Sequence, residues 1–302
     1  MNRQKVLKEL TIVAILTAAC FSATFIQKKM PTGDMVHLGN FVMIISALLL
    51  GGIQGGLVGS LGMGLYDLIY YSSKPSTIIR TFVLKFLVGF IVGYLFRLVI
   101  KKKIDTKYLL IGSSLFFLLL FGVSLGLFIA GDKSSFDFSS GLIAKVSNFF
   151  GSGKTVNISL YIPIFTIIFS LGMGLAVIFE KKMSRRSRAA LFSITVAVLA
   201  NILGEFILRW VLEGTFNVLV SDIKDGFTVS LITATSKIPG SLITGFISVV
   251  LAVLIYEPVY RGVRNLDIFK DNTRGFDEED TEIEEDIIVE NHDNKETHSE
   301  LI

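Results

Sequence analysis

Apolar residues along this chain gather into long runs separated by short polar stretches. The runs predict eight helices, at about residues 10–26, 39–52, 54–71, 77–100, 107–131, 158–180, 189–213 and 228–257. Runs of about 20 apolar residues are long enough to cross a bilayer as helices, so the fold class is all-α, a polytopic membrane helix bundle of eight spans. The stretch Gly51-Gly52-Ile53-Gln54-Gly55-Gly56 is expected to form a tight turn between the second and third helices. Arg3, Lys5 and Lys8 ahead of Leu10–Ile26 imitate a secretory signal. The many later spans, and the small-residue face of this segment, favour an uncleaved first helix.

Basic residues between the runs sort by side. Arg3, Lys5 and Lys8, then Lys101, Lys102, Lys103 and Lys107, then Lys181, Lys182, Arg185, Arg186 and Arg188, then Arg261 and Arg264 fall on one side. Lys28, Lys29, Lys74, Lys133, Lys145, Lys154 and Lys224 are spread thinly over the loops of the other. The positive-inside rule makes the first side cytoplasmic and places both termini there, in agreement with an even number of spans.

The polar residues inside the apolar runs do not scatter. Asp67, Arg80, Lys85, Asn201, Glu205, Arg209 and Lys237 all map to the outer half of the membrane, which leaves the inner half uncharged. Each such group costs roughly 2.5–3.5 kcal/mol at a helix centre on insertion scales, so it marks a functional site by default. Asn201, Glu205 and Arg209 are spaced by four and share one helix face. Lys237, within the last predicted helix, lies roughly 14 Å below its outer end at 1.5 Å per residue. The bland alternative is that these charges pair with one another or snorkel to headgroups. If they line a hydrated pocket, its surplus of cations suits a ligand rich in acceptors or carrying a carboxylate or phosphate. The fifth and sixth helices contain no such groups and are expected to lie outside the bundle, facing lipid.

Composition refines this picture. Residues 1–270 hold 27 Lys/Arg against 13 Asp/Glu, whereas residues 271–302 hold 2 against 13. That carboxyl-terminal stretch has little to bury and is expected to be a solvated, disordered tail. Cys20, the single cysteine, has no internal disulfide partner. Gly51, Gly55 and Gly59, Gly52 and Gly56, and Gly89 and Gly93 recur at intervals of four, which lets helix backbones approach closely in lipid. Ala14 and Ala18, then Ala19 and Ala23, repeat the register in the first helix.

Motifs for catalysis are wanting. Gly151-Ser152-Gly153-Lys154-Thr155 imitates the end of a phosphate-binding loop, but Asn148 stands where the first glycine belongs and no buried strand precedes it. His37, His292 and His298 are too dispersed for a metal site. No enzyme activity, metal or cofactor is expected, and no nucleic-acid partner.

His37-Leu38-Gly39-Asn40-Phe41 opens the second helix, and Tyr66-Asp67-Leu68 follows the glycine-rich turn. With Leu84-Lys85 ahead of Gly89 and Gly93, and Lys237-Ile238-Pro239-Gly240-Ser241-Leu242 near the end, the chain resembles a substrate-binding S component of an energy-coupling factor (ECF) vitamin transporter, closest to the riboflavin-type family. The resemblance covers roughly residues 8–100 and 189–258. It implies a six-helix core at 1–100 and 189–265 that captures a vitamin from outside, with 101–188 an inserted helix pair and 266–302 the acidic tail. It further implies a substrate site at His37, Asn40, Asp67, Lys85, Asn201, Glu205 and Lys237. Ala14 and Ala18 would meet a transmembrane coupling (T) component carrying two ATPase subunits, in a bacterial plasma membrane. The substrate would be riboflavin-like, pantothenate, pyridoxine or hydroxymethylpyrimidine. Two other classes remain open: an ion-coupled secondary transporter using Asp67 or Glu205, and a membrane scaffold acting through its acidic tail.

Overall fold

The computed structural model describes residues 3–29, 35–133, 158–220 and 225–263. The chain forms α1 (Arg3–Thr24), a two-stranded antiparallel ribbon of β1 (Gln27–Lys29) and β2 (Met35–His37), α2 (Gly39–Leu50), α3 (Gly52–Tyr70), α4 (Pro75–Lys101) and α5 (Thr106–Lys133). There follow α6 (Ile158–Ile178), a 3-10 turn (Glu180–Lys182), α7 (Arg185–Leu208), a π segment (Arg209–Glu213), α8 (Gly214–Leu219), α9 (Gly226–Ser236) and α10 (Ile238–Val263). This is an all-helical membrane bundle. Among the described residues, five stretches are long and apolar enough to cross a bilayer, and Gly39–Leu50, Ile162–Ile178 and Gly226–Thr235 are shorter apolar helices.

The structure departs from the expectation in several elements. The glycine-rich turn is confined to Gly51, and Gly52 already belongs to α3. Gly51 has φ +98°, which glycine adopts without steric cost, and a β-carbon there would strike the Arg97 guanidinium. Arg97 donates to the Leu50 carbonyl, one of the orphan acceptors at the end of α2. The half of the bundle expected to be uncharged therefore holds a charge, because a helix end left inside it needs a donor. Next, the last predicted helix is two: α9 stops at Ser236, and α10 starts at Ile238, with Lys237 at the break. Finally, the ribbon pairs Gln27 with His37, a local structure that the hydrophobic pattern did not announce.

The tightest packing joins α3 to α4. A β-carbon on Gly89 would lie 2.7 Å from the Gly55 carbonyl and the Gly56 nitrogen, and one on Gly56 would lie 2.7 Å from the Phe86 oxygen. Backbone thus rests on backbone, which supplies the van der Waals contact that hydrophobic driving force cannot give in lipid. Met43, Val58, Val88, Val92, Ile194 and Ala197 belong to one buried core shared by α2, α3, α4 and α7. The α5/α6 pair packs through Ser114 and Ser170, which exchange hydroxyl-to-carbonyl bonds of 2.9 Å, and through Phe117 stacked on Phe169. Leu115, Leu118, Leu119 and Leu171 on its far side are exposed, the surface a membrane would cover. Residues 264–302, the Gly151–Thr155 segment, and His292 and His298 lie outside the described residues.

Candidate functional site

At one end of the bundle, α1 closes at Thr24 and the ribbon turns the chain back into α2. Tyr66 of α3 accepts a 2.8 Å hydrogen bond from Gln27 Nε2 and packs edge-on to Phe25, which fastens the ribbon to the helices. Below it opens a cavity of about 770 Å³, lined by α1, the ribbon, α2, α3, the α3–α4 turn, α4, α7, the π segment, α8, α9 and α10. That volume lies within the usual range for small-molecule sites.

His37, Asn40, Asp67, Lys85, Asn201, Glu205 and Lys237 all line this cavity. Asp67 accepts a 2.5 Å bond from Thr81 Oγ1 across the α3/α4 contact. Lys85, 6% exposed, donates at 2.8 Å to Asn201 Oδ1 of α7. Its hydrogen bond is thus to a neutral amide, not to a carboxylate. Lys237 reaches the wall from the break between α9 and α10, where the helix bonding is interrupted. Asn40 is 7% exposed, and its Oδ1 has no hydrogen-bond partner; His37 Nδ1 is likewise buried and unpartnered. Burial holds the His37 imidazole down to about 4; the Lys85 charge pushes the same way, and Glu205 opposes it. His37 is therefore neutral near pH 7.

Arg80 and Arg209 do not form a free cationic surplus. Arg80 Nη1 donates to Glu213 Oε1 at 2.9 Å, and its Nε lies 3.1 Å from Glu205 Oε2. Arg209 reaches the same two carboxylates at 3.1 and 3.4 Å. Two guanidiniums and two carboxylates close a square between α4 and the α7 stripe. Four residues of α-helix overshoot one turn by about 40°. The π turn, with its i→i+5 bonds, is wider and swings the stripe back. Glu205, Arg209 and Glu213 therefore share one side. Glu213 escaped the sequence reading because it falls at the end of the predicted helix; its spacing of four from Arg209 was the available signal. Gln27, Tyr66 and Thr81 carried no comparable mark.

With the square neutral, the remaining lining charges are Lys74, Lys85 and Lys237 against Asp67. The cavity keeps a positive balance, but it resides on lysines rather than on the arginines. Ala14 and Ala18 lie elsewhere, exposed on the outward side of α1 beside Ile15. Among the described residues, no group of three or more His, Cys, Asp or Glu side chains could hold a metal ion.

Residues 4–150 match the family model for the ECF-type riboflavin transporter, S component. This is the family that the sequence motifs resemble. The match covers just under half of the 302 residues. It includes His37, Asn40, Asp67 and Lys85 and ends before Asn201, Glu205 and Lys237, so one wall of the cavity comes from matched helices and the other from chain beyond them. No curated protein and no solved structure matches this chain. S components of this family are membrane transport subunits, in keeping with the apolar helices described above.

Proposed function

We propose that this chain is the substrate-capturing subunit of an ECF-type importer, and that it holds a small water-soluble vitamin, riboflavin or a related solute, in the cavity beneath the ribbon. The observation that carries this reading is the convergence of polar side chains from matched and unmatched helices on one 770 Å³ cavity in a bundle whose first half matches a vitamin-transporter family. In it, the unpartnered acceptors Asn40 Oδ1 and His37 Nδ1 receive hydrogen bonds from the ligand. Lys85 and Lys237 donate to ligand oxygens, and Asp67, Asn201 and Glu205 complete the wall. A buried acceptor left without a partner costs about 1–3 kcal/mol, which a bound donor recovers. The cavity opens to the exterior, the termini are cytoplasmic, and the bilayer is the cell membrane. A T component and two ATPases, met through Ala14 and Ala18, drive release.

Two arms test this reading. Purified protein is titrated with riboflavin, pantothenate, pyridoxine and hydroxymethylpyrimidine by calorimetry, while mass spectrometry identifies any copurifying small molecule. Saturable binding lost on Lys85→Ala with Lys237→Ala supports it; absence of binding to all four, with no copurifying solute, overturns it. Ala14→Leu with Ala18→Leu should leave binding intact and abolish capture of the T component. Glu205, engaged by two guanidiniums, is poorly placed to carry a mobile proton, which leaves Asp67 as the carboxylate for a proton-relay reading.

A further inference from the structure

The end of the bundle opposite the cavity gathers positive charge. Lys101, Lys102 and Lys103 close α4 and begin its turn, and Lys107 stands in the first turn of α5. Lys181 and Lys182 occupy the 3-10 turn, with Arg185 and Arg188 opening α7. These two groups are far apart in sequence, and tertiary contacts join them. Arg188 Nε donates to Thr106 Oγ1 at 2.9 Å, and Lys107 Nζ lies 3.4 Å from Glu180. Lys101, Lys102, Lys103, Lys107, Lys181 and Lys182 are all exposed. Carboxylates also stand on this face: exposed Asp105 accepts from the Lys107 amide at 2.9 Å, and Glu180 also lies 3.5 Å from Arg188.

The last helix ends against the same face. Ser184 and Ser187 both donate to Glu257 Oε2 at 3.1 Å, and the Arg186 guanidinium lies 4.3 Å from the Tyr260 ring centroid. The chain thus leaves α10 at Val263 beside the α6–α7 turn. Residues 277–286 contain eight carboxylates and no basic residue.

We infer that the acidic segment 277–286 of this chain docks on the basic face formed by the α4–α5 and α6–α7 turns. Reach and charge both carry this. The fourteen residues from 264 to 277 span at most about 50 Å when fully extended. A partner tethered so closely acts at an effective concentration on the order of millimolar. The exposed lysines of this face, Lys107 already paired with Glu180, meet eight carboxylates on that tether. Anionic headgroups are the rival occupant, meeting the face at its perimeter rather than through a covalent link.

The test is lysine acylation of the full-length protein in phosphatidylcholine nanodiscs, read peptide by peptide by mass spectrometry. It is compared with a variant whose eight acidic residues at 277–286 are changed to their amides, a change outside the described fold. Docking predicts that Lys101, Lys102, Lys103, Lys181 and Lys182 label at least about threefold more slowly in the native protein. The protection should vanish between about 0.1 M and about 1 M salt, as the screening length falls from about 10 Å to about 3 Å. Lys74, exposed at the other end, is the internal standard and should not change. Equal labelling of native and variant protein overturns the inference. Protection that arises only with phosphatidylserine, and is indifferent to the tail substitutions, assigns the face to headgroups and overturns it as well. The readout uses no vitamin, so it stands apart from the transport reading.

Discussion

Replacing Glu213 by Gln removes the carboxylate that Arg80 and Arg209 both reach. The Arg80–Glu213 contact is 2.9 Å long between side chains 6% and 20% exposed, so it is a charge-assisted bond largely withdrawn from water. Two unit charges 4 Å apart attract by about 4 kcal/mol at an effective dielectric of 20. Glu205 still compensates Arg80 after the change, and cavity water screens the remainder, so the coupling between Arg80 and Glu213 should be about 1–3 kcal/mol. Equilibrium unfolding in mixed micelles with increasing dodecyl sulfate measures it, read through Trp210, the only tryptophan, which lies within the π segment itself. Glu213→Gln and Arg80→Gln should each destabilise, and the double variant should cost less than their sum by that coupling. Strict additivity, or a Glu213→Gln protein as stable as the native one, would refute the idea that this square pins α4 to α7.

Gly89→Leu should destabilise the bundle by about 1–3 kcal/mol in the same assay, because the side chain would enter backbone of α3 that cannot step aside; unchanged stability would contradict the close α3/α4 contact. Lys85→Ala should weaken vitamin binding about 10–150-fold by calorimetry, the value of a hydrogen bond to a charged group, and Lys85→Arg should not restore it. A depressed histidine pKa means that protonation opposes the folded state. The His37 contribution is complete above 6.5 and lost as pH falls through about 4, so stability measured across that window should fall less steeply in His37→Gln.

The apolar runs located the long helices and the all-α class, because a bilayer leaves only apolar helices as a way across and their lengths are visible in the residues. They did not give the number of helices, since the last two runs each divide. The cost of polar groups in hydrocarbon likewise made Asp67, Lys85, Asn201, Glu205 and Lys237 stand out before any fold was known. The glycine spacing announced close backbone contact for a similar reason, since only a missing side chain permits it; that α3 and α4 are the partners came from the fold. The break at Lys237 stands two residues before Pro239, which has no N–H to continue the helix bonding, so that mark was present in the residues. Tertiary structure alone decided the rest. The π turn at Arg209 is a backbone choice for which periodicity carries no mark of a changed hydrogen-bond register. That register brings Glu213 onto the stripe and neutralises two arginines that, read along the chain, counted as surplus charge. Arg97 illustrates the same limit: its partner is the backbone carbonyl of Leu50, and a carbonyl freed by a turn has no signature in the identity of its residue.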